Sequence, residues 1–188
     1  MNQFLDLIRS GDFVVLDTET TGLDNGAEIC QIAIVDSSAK VLLNSLVKPV
    51  KPIPADATAI HGITVQDIIN APTWRDVSPQ VQRIIEAKNV VIYNAVFDCR
   101  MMHQSAEIGG TQKIIWRELV AFHCAMLAYA EFWGDWSSYH QSYRWQTLSN
   151  ACSQQQIPIK DTHTALGDCL ATLLLVKHMA KVRAAKEA

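Results

Sequence analysis

The sequence lacks an excess of positive charge, a cysteine pattern for disulfides or zinc, and any long apolar run. Its 16 basic and 19 acidic side chains give a formal net charge of -3, which excludes nucleic-acid binding by bulk positive charge alone. The five cysteines form no CxxC pair and are odd in number, so we expect a reducing, cytoplasmic environment. No run approaches the roughly 18 apolar residues of a membrane span, and we expect no membrane partner.

Linkers, internal repeats and low-complexity tracts are also absent from the sequence. A chain of 188 residues, 49% of them hydrophobic, is long enough to bury a core without disulfides or structural metals. We therefore predict a single domain over residues 1–188.

The spacing of apolar residues changes along the chain. After a short amphipathic helix in the first ten residues, three runs rich in β-branched side chains predict consecutive antiparallel strands: 13–16, which opens on Asp17, 29–35 and 41–47. The later part alternates a strand at 90–93 and a mixed segment at 114–122 with helices at 97–108, 124–132, 145–155 and about 163–181. This order predicts an α/β fold with a mixed sheet flanked by helices.

Two acidic residues, Asp17 and Glu19, lie at the end of the first predicted strand. Because alternate residues of a strand share a face, their carboxylates can converge on one point. Such carboxylates repel each other unless a cation lies between them, and oxygen ligands suit Mg²⁺ or Mn²⁺ better than zinc. Solvated acids beside a turn are the alternative for an arbitrary pair of this kind.

Two further acids and a histidine follow at the starts of predicted helices. Asp98 comes just after the fourth strand, where an isolated acid is explained by the helix dipole. Asp168 lies on a mostly apolar helix, so its charge needs a partner, which a metal shared with the first-strand acids would supply. His163 would lie about 140° from Asp168 around a helix. We therefore expect His163 on the loop or first turn, with Thr162 or Thr164 as the N-cap.

Together these motifs resemble those of the DEDDh subgroup of the DnaQ-like 3'-to-5' exonucleases, which have an RNase H-like fold. The matching stretches are Asp17-Thr-Glu-Thr-Thr-Gly-Leu, Asn94-Ala-Val-Phe-Asp98 and His163-Thr-Ala-Leu-Gly-Asp168. In addition, His61-Gly-Ile-Thr matches a substrate-side turn of the family. The resemblance spans roughly residues 12–180 and implies a single exonuclease domain built on a central mixed five-stranded sheet.

The resemblance also implies roles for individual residues. Two divalent cations, Mg²⁺ or Mn²⁺, would be held by four acids: Asp17, Glu19, Asp98 and Asp168. His163 would be the general base that takes a proton from the attacking water. Substrate contacts are expected from Thr18, Thr20, Leu23, His61 and Asn94. Their alternatives are strand propensity for the two threonines, turn packing for Leu23, a turn cap for His61 and backbone support for Asn94.

The expected activity is removal of nucleoside 5'-monophosphates from the 3' ends of single-stranded nucleic acid or 3' overhangs, with DNA slightly favoured over RNA. Alternatives are an RNA-trimming or oligoribonuclease-type enzyme and a silent nucleic-acid-binding module. A haloacid-dehalogenase-like phosphatase fits less well, since Glu19 stands where a second aspartate belongs. Two departures from the family pattern, Tyr93 for a common histidine and His123 for a common aspartate, concern the substrate rather than catalysis.

The segment 132–145 holds six of the 14 aromatic residues. With Arg144 beside them, these rings would be able to stack on unpaired bases. Packing of a long loop onto the core, or a homodimer surface, is favoured over stacking on the sequence alone.

Overall fold

A five-stranded mixed sheet organises the computed structural model, which describes residues 1–111, 114–160 and 162–187. Its strands are β1 (Val14–Thr20), β2 (Ile29–Asp36), β3 (Val41–Leu46), β4 (Asn89–Ile92) and β5 (Ala121–Cys124), arranged in the order β3-β2-β1-β4-β5. The first three strands are antiparallel, whereas β4 pairs parallel with both β1 and β5. The predicted mixed sheet with an antiparallel start is therefore confirmed.

Helices cover both faces of this sheet. They are α1 (Asn2–Ser10), α2 (Ala55–His61), α3 (Val65–Ile68), α4 (Trp74–Ile85), α5 (Ala95–Ile108), α6 (Trp116–Leu119), α7 (Ala125–Trp133), α8 (Leu148–Gln154) and α9 (Ala165–Glu187). Among the residues described, no helix combines the length and hydropathy needed to cross a membrane.

The segment between α7 and α8 differs from the sequence-based expectation. Two short strands, β6 (Trp136–Ser137) and β7 (Ser142–Tyr143), form a hairpin that was not predicted, because two-residue strands leave no periodic pattern. The helix predicted from residue 145 begins instead at Leu148. Thr147 sets that start, since its side chain accepts a hydrogen bond from the Asn150 backbone N–H at 3.1 Å.

Strand β1 separates two apolar layers. Val15 packs in the layer formed with α1, α7, α8 and α9, whereas Val14 and Leu16 pack in the layer formed with α4 and α5. The same alternation directs the side chains of Asp17 and Glu19 towards α9 and that of Thr18 towards α5.

Helix α9 lies directly across the centre of the sheet. Its buried Cys169 thiol is 3.4 Å from the carbonyl oxygen of Ala33 and 3.6 Å from that of Val15. At the start of α9, the Thr164 hydroxyl oxygen accepts a hydrogen bond from the Gly167 N–H at 3.0 Å. This N-cap confirms one of the two predicted threonines.

Candidate active site

Three carboxylates from two elements meet at the C-terminal end of β1, the central strand of the sheet. One oxygen each from Asp17, Glu19 and Asp168 lies within 4.8 Å of the other two. Asp17 and Glu19 share a face of β1, and Asp168 is in the first turn of α9. All three side chains are partly exposed, so the cluster is open to solvent on one side.

A fourth carboxylate, that of Asp98, reaches the cluster from α5. Asp98 lies in the first turn of that helix and is only 3% exposed. Its Oδ1 atom accepts hydrogen bonds from the Thr18 backbone N–H at 3.1 Å and from the Thr18 hydroxyl at 2.7 Å. Thr18 therefore connects Asp98 to the segment of β1 that carries Asp17 and Glu19.

The pKa values of the four acids show the cost of placing them together. Burial, followed by the charges of the neighbouring acids, raises the pKa of Asp17 well above its ordinary value. Burial is also the main cause that raises the pKa of Glu19 and of Asp98 to about 7. For Asp98, the hydrogen bonds from Thr18 act in the opposite direction.

This cluster fits divalent cations. Within the described ranges, none of the ion pairs to lysine, arginine or the N-terminus involves these four carboxylates. Clustered carboxylate oxygens without a protein cation are ligands of the type that Mg²⁺ and Mn²⁺ prefer. Such ions would offset the repulsion among the carboxylates and compensate for the burial of their charges.

His163 stands just outside α9, on its exposed N-terminal side. Its backbone has a φ of 63°, in the left-handed region that histidine enters more readily than most non-glycine residues. Burial raises the pKa of Asp168, whereas a hydrogen bond from the His163 backbone and the charge of its imidazole act to lower it. His163 is thus an exposed residue next to Asp168, on the loop where it was predicted.

A glutamine that the sequence analysis missed joins β2 to α9. Gln31 lies opposite Glu19 in the β1–β2 register. Its side-chain carbonyl accepts a hydrogen bond from the Ala165 N–H at 3.1 Å, and its amide donates one to Asn44 at 3.2 Å. The signal in the sequence was a single amide side chain in an apolar run, on the strand face that also carries Ala33 and Val35.

Leu23 lies on the loop between β1 and β2 and is 77% exposed. Helix α5 holds the backbone of this loop, because Arg100 donates to the Leu23 carbonyl at 3.1 Å and Gln104 donates to the Asp24 carbonyl at 3.0 Å. The Thr20 hydroxyl donates to the Gly22 carbonyl at 2.8 Å and so shapes the start of the loop. An apolar side chain is thus presented to solvent from a fixed backbone.

His61 is buried beneath the end of β1. Its Nδ1 atom accepts the Ile63 N–H at 3.0 Å, and its Nε2 atom lies 3.7 Å from the Cys30 sulfur. Burial lowers the pKa of this imidazole, while a hydrogen bond to the Thr20 backbone raises it. These contacts join the turn after α2 to the end of β1, as in the turn-cap alternative.

Asn94 precedes α5 as its N-cap residue, but its side chain makes no capping hydrogen bond. Its carbonyl oxygen accepts the N–H groups of Phe97 and Asp98 at 2.9 and 3.3 Å. The backbone of Asn94 therefore supports the helical turn that carries Asp98.

The two departures from the family pattern lie beside β4, Tyr93 just after its last residue and His123 on the neighbouring strand β5. Tyr93 follows β4 at the end nearer the acids, and its hydroxyl donates to the Gln146 carbonyl at 2.7 Å. On β5, the His123 Nε2 atom is 3.1 Å from the side-chain oxygen of Asn89, the first residue of β4. Only Tyr93 is therefore placed to influence the active-site end of the sheet.

A family model for exonucleases, RNase_T, matches residues 14–176 and thus includes all four acids and His163. The chain belongs to this exonuclease family. The resemblance to DnaQ-like exonucleases is thereby confirmed, and with it a nuclease that hydrolyses phosphodiester bonds. Exonucleases of this type use divalent metals, in agreement with the acidic cluster.

Curated relatives of the exonuclease match it over different lengths. It is 41% identical over 179 residues to "Uncharacterized exonuclease CP81" of Escherichia phage 186, a match that covers 93% of this chain and 91% of the phage protein. It is 30% identical over 101 residues to the DNA polymerase III subunit epsilon of Rickettsia felis, covering 50% of this chain and 44% of the subunit. The phage protein is therefore matched over nearly its whole length, and the polymerase subunit over less than half.

Solved exonuclease structures share the fold. Exonuclease X in complex with 5' overhanging duplex DNA superposes with a TM-score of 0.68 at 25% identity, covering 92% of this chain and 93% of Exonuclease X. E. coli Exonuclease I in complex with a dT13 oligonucleotide gives a TM-score of 0.73 at 18% identity, covering 93% and 42% of the two chains. The predicted RNase H-like fold is confirmed by these neighbours.

Proposed function

We propose that this exonuclease is metal-dependent and removes nucleoside 5'-monophosphates from the 3' ends of single-stranded DNA or 3' overhangs. The observation that carries the proposal is the convergence of three carboxylates within 4.8 Å, with Asp98 bound to the strand segment between two of them. His163 is exposed and lies close enough to Asp168 to influence its pKa.

The four acids would hold two divalent cations, either Mg²⁺ or Mn²⁺. Asp17, Glu19 and Asp168 are the ligands best placed to share an ion, since their oxygens already converge. Asp98 is oriented by Thr18 through Oδ1, which leaves Oδ2 as the oxygen available for a ligand role. When bound, the cations supply charge neutralisation and polarisation of the phosphodiester.

His163 acts as the general base. Its exposed position on a loop, outside the first turn of α9, allows the imidazole to approach a water beside the scissile phosphate. The unperturbed pKa of histidine, near 6.5, suits acceptance of a proton at neutral pH.

Substrate selection is assigned to the surface around Leu23. Its exposed side chain, carried by a backbone that α5 holds, is suited to contact the terminal base. The preference for DNA is supported by the solved neighbours, because Exonuclease X and Exonuclease I are both described in complexes with DNA. RNA is the second substrate to be tested.

The decisive experiment places a label at either end of a single-stranded DNA and adds Mg²⁺ or Mn²⁺. A 3'-to-5' exonuclease produces a ladder of shortened strands from the 5'-labelled DNA and releases labelled mononucleotide at once from the 3'-labelled DNA. Release of mononucleotide at once from the 5' label would overturn the proposed direction. Binding without any product would indicate a silent module.

Two matched comparisons complete this test. Asp17→Asn removes one carboxylate charge with little change in size, and its loss of cleavage would assign the activity to this site rather than to a contaminant. RNA and DNA of the same sequence, single-stranded or with a 3' overhang, separate the substrate alternatives. A rate on RNA well above that on DNA would overturn the DNA preference.

A further inference from the structure

The segment from residue 134 to residue 147, here called the aromatic hairpin, is the largest exposed aromatic surface of the described residues. Tyr139 at its tip is 90% exposed, Trp145 67% and Trp136 50%. Trp136 also packs edge-on against Tyr143, with ring centroids 5.1 Å apart. The rings therefore remain open to solvent instead of packing onto the core, which was one of the alternatives from the sequence.

The aromatic hairpin is attached to the active-site end of the sheet through Tyr93. In the parallel β1–β4 register Val15 pairs with Val91. Two residues further along the chain lie Asp17, still in β1, and Tyr93, just after β4. Tyr93 packs in the same apolar layer as Val15 and Val91, on the face of α9. Its hydroxyl donates to the carbonyl oxygen of Gln146, the neighbour of Trp145, at 2.7 Å.

The base of the aromatic hairpin is also held by side chains. The Gln146 side-chain oxygen accepts a hydrogen bond from the Gln154 amide of α8 at 3.0 Å. The Tyr129 hydroxyl of α7 in turn donates to the Gln154 side-chain oxygen at 2.9 Å. Main-chain and side-chain contacts of Gln146 thus fix the backbone beside Trp145 relative to the acidic cluster.

The composition of the aromatic hairpin distinguishes between its potential occupants. Residues 134–147 include no aliphatic side chain, and polar residues separate the rings. Arg144 forms an ion pair with Asp135 at 3.0 Å, so the segment has no excess of negative charge to repel a nucleic acid. Trp, Tyr and Arg are frequent in protein interfaces, but the serines and the acidic residue between them are not. Stacked bases need only the ring faces, so these polar groups can stay hydrated when a single strand binds.

We propose that the aromatic hairpin binds the unpaired part of the substrate strand, upstream of the terminal nucleotide, by stacking of bases on Trp145 and its neighbouring rings. This inference rests on the proposed function and extends it: it adds a binding surface beyond the acidic cluster. It follows that single strands that reach from the acids to Trp145 are preferred over dinucleotides.

Binding is measured first, separately from cleavage. The anisotropy of labelled dT16 is followed with Ca²⁺ in place of Mg²⁺, since Ca²⁺ accepts oxygen ligands but has less strict geometry. Trp145→Leu keeps an apolar side chain but removes the ring, and should weaken binding about tenfold. Trp145→Phe keeps a ring face and should bind within about threefold of wild type.

Cleavage of a long and a short substrate by the same protein is then compared. The kcat/KM for dT16 divided by that for a thymidine dinucleotide should fall about tenfold in Trp145→Leu, while general damage would lower both values and preserve the ratio. Trp133→Leu is the matched control, because Trp133 lies outside the aromatic hairpin on α7, with its ring stacked on Tyr129. Its ratio should equal that of the wild type.

The outcomes separate this inference from the proposed function. Wild-type protein that cleaves neither substrate overturns the proposed function, while the dT16 binding series still tests the surface. Equal binding and an unchanged ratio in Trp145→Leu overturn the stacking surface alone, as does an equal loss in Trp145→Phe. Sedimentation of the wild type and of Trp145→Leu tests self-association. A dimeric wild type and a monomeric Trp145→Leu would assign the surface to a dimer interface and overturn the proposal.

Discussion

Thr18 donates two hydrogen bonds to a single carboxylate oxygen of Asp98, one from its backbone N–H at 3.1 Å and one from its hydroxyl at 2.7 Å. These residues are 80 positions apart in the chain. Thr18 lies between Asp17 and Glu19 but faces the opposite side of β1. The residue therefore positions the fourth acid, and its hydroxyl proton is donated to that carboxylate.

Thr18→Val should lower kcat/KM for single-stranded DNA about tenfold, because the loss of a hydrogen bond to a charged group costs about 1.5 to 3 kcal/mol. The apparent affinity for Mn²⁺, measured from the metal dependence of the rate, should fall with it. Thr18→Ser keeps the hydroxyl and should restore both quantities. Equal activity of the valine and wild-type proteins would contradict the positioning role.

His163→Asn should reduce kcat about 100-fold or more, because asparagine cannot accept the proton but does tolerate the left-handed backbone at this position. Binding of dT16 and the melting temperature should stay close to wild type. His163→Gly is the matched control for the backbone, since glycine relieves the strain at a φ of 63° and also removes the imidazole. An asparagine variant with wild-type kcat would eliminate His163 as the base.

The metal-free protein should lose stability as the pH rises from about 4 to about 7. The pKa values of Glu19 and Asp98 are raised to about 7, so between their ordinary values and about 7 the folded state holds protons that the unfolded chain releases. The contribution of these groups to the free energy of unfolding therefore decreases as the pH rises through that window. Thermal unfolding in EDTA across the pH range measures this decrease.

Added Mn²⁺ should reverse this loss, with a larger increase in melting temperature at about pH 8 than at about pH 5 because it binds ionised carboxylates. At a concentration about 100 times Kd the increase should be roughly 5 to 10 °C. Asp17→Asn should be more stable than wild type in EDTA at the higher pH and respond less to Mn²⁺. A wild-type protein that Mn²⁺ does not stabilise would contradict the assigned metal ligands.

Gln31→Ala should reduce both activity and stability. The substitution removes the acceptor of the Ala165 N–H, one of the amide groups that a helix start leaves without an intrahelical partner. We expect a loss of about 1 kcal/mol in the free energy of unfolding and a lower kcat, because the turn that carries Asp168 is less firmly held. Asn44→Ala removes the other contact of Gln31 and is the control. A larger loss in that control would assign Gln31 to the β2–β3 pair instead.

Local sequence patterns were sufficient for much of the fold and part of the site. Alternation along β1 placed Asp17 and Glu19 on one face, and Thr164 was among the two predicted caps of α9. Short connections between the first strands indicated the antiparallel order that the sheet shows. These features depend on residues a few positions apart, so periodicity and turn chemistry reveal them.

Other parts of the site depend on residues far apart in the chain. The hydrogen bonds that tie Asp98 to Thr18 could not be foreseen from the sequence, and the link between Gln31 and α9 left only a weak signal in β2. The aromatic hairpin was visible as composition, but its exposure and its contact with Tyr93 were not. The sequence by itself determined the order of the first three strands and the faces of β1, because these follow from local spacing. Only the packing of α5, α9 and the aromatic hairpin against the sheet decided which distant side chains meet, because such contacts depend on the three-dimensional arrangement of the elements.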